Sequence, residues 1–247
     1  MNSLVVIPAR YQSSRLPGKP LVSLLGLSMI RRTFHRCAQA FDPKRIYVAT
    51  DDARVFDHCT AAGIQVLMTP EDCLTGTDRV AHVAGKIDAD VYINVQGDEP
   101  VIDPADIVAI GEAARQHPGE IVNGMCAIED EALFRNPSIP KIVTRPDGRL
   151  LYMSRSPVPT TKGQNFVGAK RQVCVYAFPK EPLTEFARTG AKTPLEAVED
   201  IEILRFLELG YEVRMIPLSD SSISVDVPED IPRAEAAIRE RGLIDAG

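Results

Sequence analysis

Arg10, Arg15 and Lys19 crowd one short run near the start of the chain, Pro8-Ala9-Arg10-Tyr11-Gln12-Ser13-Ser14-Arg15-Leu16-Pro17-Gly18-Lys19-Pro20. Arginine offers phosphate oxygens a planar fork and lysine a mobile point charge, so cations at this density suit a polyphosphate. The pattern is neither GxxxxGK[ST] nor GxGxxG, so no P-loop or dinucleotide fingerprint is present. On composition alone, a solvated basic loop is the alternative.

The second group able to do chemistry is Asn94-Val95-Gln96-Gly97-Asp98-Glu99-Pro100, joined much later by Val225-Asp226-Val227-Pro228-Glu229-Asp230. Magnesium usually takes one or two carboxylates, several waters and substrate phosphates, which makes Asp98 and Asp226 candidate ligands. Taken separately, Asp98 also reads as a turn residue and Asp226 as a helix cap. Two more polar turns follow the same logic: Ala49-Thr50-Asp51-Asp52 and Leu74-Thr75-Gly76-Thr77-Asp78-Arg79. A hydroxyl-Gly-hydroxyl turn at a helix start presents N–H groups and small donors to a nucleobase edge, while Thr75 and Asp78 have capping-box spacing with or without a ligand.

The elements that must position these groups alternate. Apolar residues 4–7 form a short run bounded by proline, as in an interior parallel strand, and ligands in open α/β sheets gather beyond the carboxyl ends of such strands. Strands are predicted at 45–50, 65–68 and 91–95, with helices over 28–40, 78–86 and 104–117 between and after them. From residue 121 shorter strands follow at 121–127, 140–143 and 150–153, then a Pro-, Thr-, Gly- and Lys-rich loop over 156–170. A strand at 173–178, a helix over 194–209, a strand at 212–217 and a last helix from Pro228 complete the pattern.

The 247 residues and net charge of −6 fit one α/β domain with a sizeable core and argue against a nucleic-acid partner. No apolar run reaches the roughly 18 residues of a membrane span and no leader precedes the first strand, so a cytoplasmic protein is expected. The five cysteines lack metal spacing and read as free thiols. The four histidines are scattered outside every motif, so histidine acid–base chemistry is not expected.

The run from Pro8 to Leu21 resembles the PARxxSxRxPGKPL loop of the CMP-Kdo synthetases, where Kdo is 3-deoxy-manno-octulosonate. The family's NVQGDEP matches at 94–100 residue for residue. Its VDTPED stands at 225–230 with Val227 replacing threonine, its ATDD at 49–52, and its SGTDR at 75–79 with Thr75 replacing serine. The resemblance implies a mostly parallel, Rossmann-like nucleotidyltransferase sheet with helices on both faces. It implies a single domain over 1–247 with a capping and dimerisation lobe over roughly 121–193. The activity implied is a magnesium-dependent cytidylyltransferase that joins CTP to a sugar acid and releases pyrophosphate. Ala9, Arg10, Arg15 and Lys19 would hold the CTP phosphates, with Thr50, Asp51, Thr75 and Gly76 toward the rest of the nucleotide. Asp98 and Asp226 would hold magnesium, and with Arg10 and Lys19 make the catalytic set. A homodimer is implied as well.

On the acceptor side the chain departs from that family. RHLGIYGY stands here as Arg171-Gln172-Val173-Cys174-Val175-Tyr176-Ala177-Phe178, and the glutamine of PLExxExLEQLR is Ile203. The implied acceptor contacts are Gln96, Arg155, Gln172, Tyr176, Glu199 and Glu202. Losing a hydrogen-bonding amide to isoleucine removes a polar contact that a polyol uses. Kdo is the first expectation. Another ulosonic acid, an acylneuraminate-like acid, a small phosphonate, or a non-catalytic nucleotide-binding paralogue stand beside it. Glu199, Glu202 and Arg205 read equally as a salt-bridged helix face.

Overall fold

β1 (Ser3–Pro8) is buried from Leu4 onward, with Leu4 and Val6 in one core cluster and Val5 and Ile7 in another. This two-residue alternation, apolar on both sides, marks a strand covered on both faces. The structure, a computed structural model, describes residues 1–244. After β1 come β2 (Ser23–Leu24), β3 (Leu27–Ser28), α1 (Met29–Ala40), β4 (Ile46–Thr50), α2 (Ala53–Ala61), β5 (Val66–Met68), α3 (Gly76–Ala84), β6 (Val91–Val95) and α4 (Pro104–Gln116). The chain continues through β7 (Ile121–Ile128), α5 (Glu131–Arg135), β8 (Lys141–Thr144), β9 (Leu150–Ser154) and β10 (Ala169–Pro179). It ends its described part with α6 (Lys180–Arg188), α7 (Pro194–Glu199), α8 (Ile203–Glu208), β11 (Val213–Pro217) and α9 (Ile231–Glu240).

The main sheet runs β11-β7-β10-β6-β1-β4-β5, and within it β10 alone runs against its neighbours. The expected mostly parallel α/β sheet is what the chain forms. Side chains of α1, α2 and α4 pack on one face, including Ile30, Phe34, Val55, Ile107 and Ile110. The other face is covered from α3, α6 and α8 by Val80, Val83, Leu183, Phe186 and Phe206. A third cluster joins Leu16 of the cationic loop to Val225 and to Ala234 and Ile238 of α9. Burial of these side chains pins the loop and the Asp226 segment to one another, each fully buried aliphatic contributing roughly 1.5–3 kcal/mol.

Within residues 121–193, β7 and β10 are interior strands of the main sheet, while β8 and β9 lie off its path. The expected helix over 194–209 is two helices broken at Asp200, whose φ of 51° ends α7 in the left-handed region. β10 begins at Ala169, so the loop after β9 is shorter than composition suggests. No helix among the described residues is long and apolar enough to cross a membrane.

Candidate active site

A cavity of about 270 Å³ opens at the carboxyl ends of β1 and β6, where the open-sheet rule places a ligand. Its first wall is the loop after β1. Gly18 adopts φ +69° and donates its N–H to the Tyr11 carbonyl at 3.2 Å, and the chain then enters a short 3₁₀ turn at Lys19–Leu21. That φ favours glycine, so the turn that presents Lys19 depends on residue 18. Tyr11 is held from the other side by Arg54, whose guanidinium carbon lies 3.4 Å from the ring centroid. Arg54 is itself fixed by a two-pronged bond to Asp52, at 2.9 and 2.7 Å.

Gly97 brings the end of β6 against the end of β1. A Cβ there would stand 2.7 Å from the Pro8 carbonyl oxygen, so any side chain would force the strands apart. The next residue, Asp98, accepts from Lys19 Nζ at 2.5 Å, and Asp226 accepts from the same ammonium at 3.1 Å and from Arg15 at 2.9 Å. The Val225 amide donates to the Asp98 carbonyl at 3.0 Å, which fastens the two carboxylate-bearing segments backbone to backbone. Burial works against the charge of Lys19, but the two carboxylates outweigh it and raise its pKa. Beside them Glu99 is buried, with its pKa raised to about 8 by burial and by the charge of Asp98; Ser222 donates to it.

Two carboxylates that converge on one cation are a donor pair that fits a hard divalent ion completed by water and phosphate. No group of three or more His, Cys, Asp or Glu side chains able to hold a metal occurs among the described residues, so an ion here would draw its remaining ligands from substrate and solvent.

The far wall comes from the turn before α3 and from α7 and α8. Thr75 caps α3 by accepting from the Asp78 amide at 3.2 Å, as its spacing predicts. The first amides of that helix, Gly76 and Thr77, donate to the carboxylate of Glu202 at 3.1 and 3.0 Å. The turn's N–H groups are thus already bound by a protein carboxylate, which leaves Thr75, Gly76 and the neighbouring Gln96 amide as the surfaces turned to the cavity.

Of the residues singled out from the sequence, Ala9, Arg10, Arg15, Lys19, Thr75, Gly76, Gln96, Asp98, Glu202 and Asp226 line this one cavity. Arg10 is exposed at its edge and forms no ion pair among the described residues. The others lie elsewhere. Thr50 is buried, its hydroxyl accepting from the Asp52 amide, and Asp51 binds Arg79 at 2.5 Å. Glu199 accepts from the hydroxyls of Ser154 and Tyr152 and from the Arg155 amide. The Arg155 guanidinium donates to three backbone carbonyls, those of Glu199, Pro137 and Asp200. Gln172 donates its amide to buried Asn123 at 2.9 Å, and Tyr176 is buried, stacked on Phe178 beside the Cys174 thiol. Arg155, Gln172, Tyr176 and Glu199 are thus not among the residues that line this cavity. Arg205 is fully buried, gripped by Glu196 at 2.6 Å and Asp78 at 3.1 Å, so it is not part of an exposed charged face. Lys192, Asp200 and Cys73 line the cavity without any motif to announce them.

The family model described as cytidylyltransferase matches residues 4–216. A 3-deoxy-manno-octulosonate cytidylyltransferase of Syntrophotalea carbinolica is 40% identical, the alignment covering 97% of this chain and 99% of that protein. An 8-amino-3,8-dideoxy-manno-octulosonate cytidylyltransferase of Shewanella halifaxensis is 38% identical over 96% of this chain and 99% of its own. Among solved structures, a CMP:2-keto-3-deoxy-manno-octonic acid synthetase complexed with CTP superposes with a TM-score of 0.90 at 34% identity, covering 98% of this chain and 100% of that one.

Proposed function

The chain belongs to the cytidylyltransferase family, and from that premise we propose that it joins CTP to Kdo, giving CMP-Kdo and pyrophosphate. The observation that carries the reading is the convergence of Asp98 and Asp226 on Lys19 beneath the Arg10–Arg15 loop, in a chain whose relatives bear that activity in their names.

In this reading Arg10, Arg15 and Lys19 neutralise the triphosphate and hold the pyrophosphate end as charge builds on the leaving oxygens. A hydroxyl oxygen of the acid forms the new bond to the α-phosphorus while the bond to the bridging oxygen breaks. The electron pair leaves with pyrophosphate and the hydroxyl proton passes to solvent. The chain supplies positioning and charge, with no covalent intermediate and no histidine. Asp98 and Asp226 would hold magnesium, which contributes neutralisation of phosphate charge. Thr75 and Gly76 would meet the nucleoside and Gln96 the acid. A cytoplasmic location and a homodimer belong to the same reading. Exposed Leu133, Leu151 and Val167, in or beside the segment that lies off the main sheet, support a pairing surface.

Pyrophosphate release with CTP and magnesium against Kdo, its 8-amino analogue, other ulosonic acids and small phosphonates tests the reading. Release with Kdo is expected, and its absence with every acid sinks the proposal.

A further inference from the structure

Relatives named for two different acceptors match this chain at nearly equal identity, so the acceptor's grip has to be sought in the cavity itself. Displacement at phosphorus sets the entering and leaving oxygens roughly in line. If the loop after β1 holds the pyrophosphate, the acid enters from the walls that the loop does not build. One of these, the turn over 73–79, is taken by the nucleoside in the reading above, and its cation Arg79 is committed to Asp51, Thr69 and the Pro70 carbonyl. The other is the segment over 192–202, which carries the carboxylates of Glu196, Asp200 and Glu202 into the lining. An acidic ligand meets repulsion there unless a cation intervenes. Arg155 is not part of the lining: its guanidinium is tied to three backbone carbonyls and stands 3.9 Å from the Asp200 carboxylate.

Lys192 remains. It lines the cavity, its side chain is 31% exposed, and its partner is Asp200 at 2.5 Å, a carboxylate that is itself 70% exposed. A pair this exposed is cheap to break, unlike the buried grip of Glu196 on Arg205. Asp200 is itself the left-handed residue that separates α7 from α8, so the helix break sets the carboxylate that pairs with the ammonium at the cavity wall.

We propose that Lys192 is the specificity-determining cation of the acceptor half-site: it exchanges Asp200 for the carboxylate of the incoming acid. The proposal rests on the cytidylyltransferase reading above.

The test is steady-state pyrophosphate release by the full chain, with CTP and magnesium, Kdo varied, in Lys192→Gln, Lys192→Arg and Asp200→Asn. Loss of one charge-assisted contact should raise the KM for the acid roughly 10- to 100-fold in Lys192→Gln, with the KM for CTP unchanged. Lys192→Arg should restore most of it. Asp200→Asn separates this role from simple bracing of the wall: freeing the ammonium should lower the KM for the acid, by up to about fivefold. An unchanged acid KM in Lys192→Gln overturns the inference. So does a rise confined to CTP, which would give Lys192 to the phosphates, or an Asp200→Asn enzyme as impaired as Lys192→Gln. If the wild type refuses Kdo but accepts another acid, the same comparison is run on that acid. Failure of the wild type with every acid overturns the underlying reading instead.

Discussion

Glu202 and Thr77, far apart in the chain, meet in one wall of the cavity: the Thr77 amide and hydroxyl both donate to one carboxylate oxygen of Glu202, while the Gly76 amide donates to the other. A carboxylate at the first amides of α3 is favoured by the helix dipole and answers donors that the helix cannot satisfy itself. Burial nonetheless raises the pKa of Glu202 against the pull of those donors. Glu202→Gln turns an amide N–H₂ toward N–H groups, so a loss of about 1–3 kcal/mol is expected in urea unfolding. Because Gly76 and Thr75 line the cavity, the KM for CTP should rise with it.

Asp98→Asn and Asp226→Asn should each lower kcat by roughly 10²- to 10³-fold or more while leaving the melting temperature near that of the wild type. The fold survives because Lys19 keeps one carboxylate partner in either variant. Calorimetric titration with magnesium and CTP should show weaker metal binding. A fully active Asp98→Asn enzyme would refute the assigned role.

The Arg54 guanidinium over Tyr11 ties the loop after β1 to the start of α2. An exposed cation–π contact contributes about 0.5–1 kcal/mol, so Arg54→Ala should raise the KM for CTP about two- to fivefold with kcat intact. Tyr11→Ala should match it. Tyr11→Phe, which keeps the ring, should behave as wild type; equal damage from the phenylalanine would place the effect on the hydroxyl instead.

Glu99 gives the ligand-free, metal-free protein a pH signature. Its pKa rises from 4.5 in the unfolded reference to about 8 in the fold. Between those values the folded chain holds a proton that the unfolded chain has lost, so stability falls as pH rises through the window and the cost is complete above it. Denaturation midpoints taken from pH 5 to 9 should show that decline. Glu99→Gln should flatten it and be the more stable protein at high pH; an identical slope in the variant would assign the effect to other groups.

The loop after β1 and the turn after β6 were legible because each puts its chemistry within a few neighbouring residues, next to an apolar run that fixes the strand. The Thr75 cap was legible for the same reason. That Asp98 and Asp226 share one ammonium was not, since long-range contacts, the Leu16–Val225 packing and the Val225–Asp98 backbone bond, bring the second carboxylate home. The internal partners of Gln172 and Glu199 were not legible, because a polar residue in a strand or helix looks the same whether it faces a ligand or a buried neighbour. Asn123 accepts from Gln172, and Ser154 and the Arg155 amide donate to Glu199. Lys192 went unnoticed because its meaning depends on a helix break at Asp200, and nothing in the amphipathic pattern of 194–209 marks that residue as left-handed.

Lys19 and Asp226 are 207 residues apart, yet each is incomplete without the other. On a ribosome adding about 5–20 residues per second, the loop that carries Lys19 therefore waits roughly 10–40 s for its aspartate partner. A nascent or truncated chain that stops short of Val225 can carry a cationic loop but no assembled catalyst, so premature termination should yield silent protein and not a deregulated consumer of CTP.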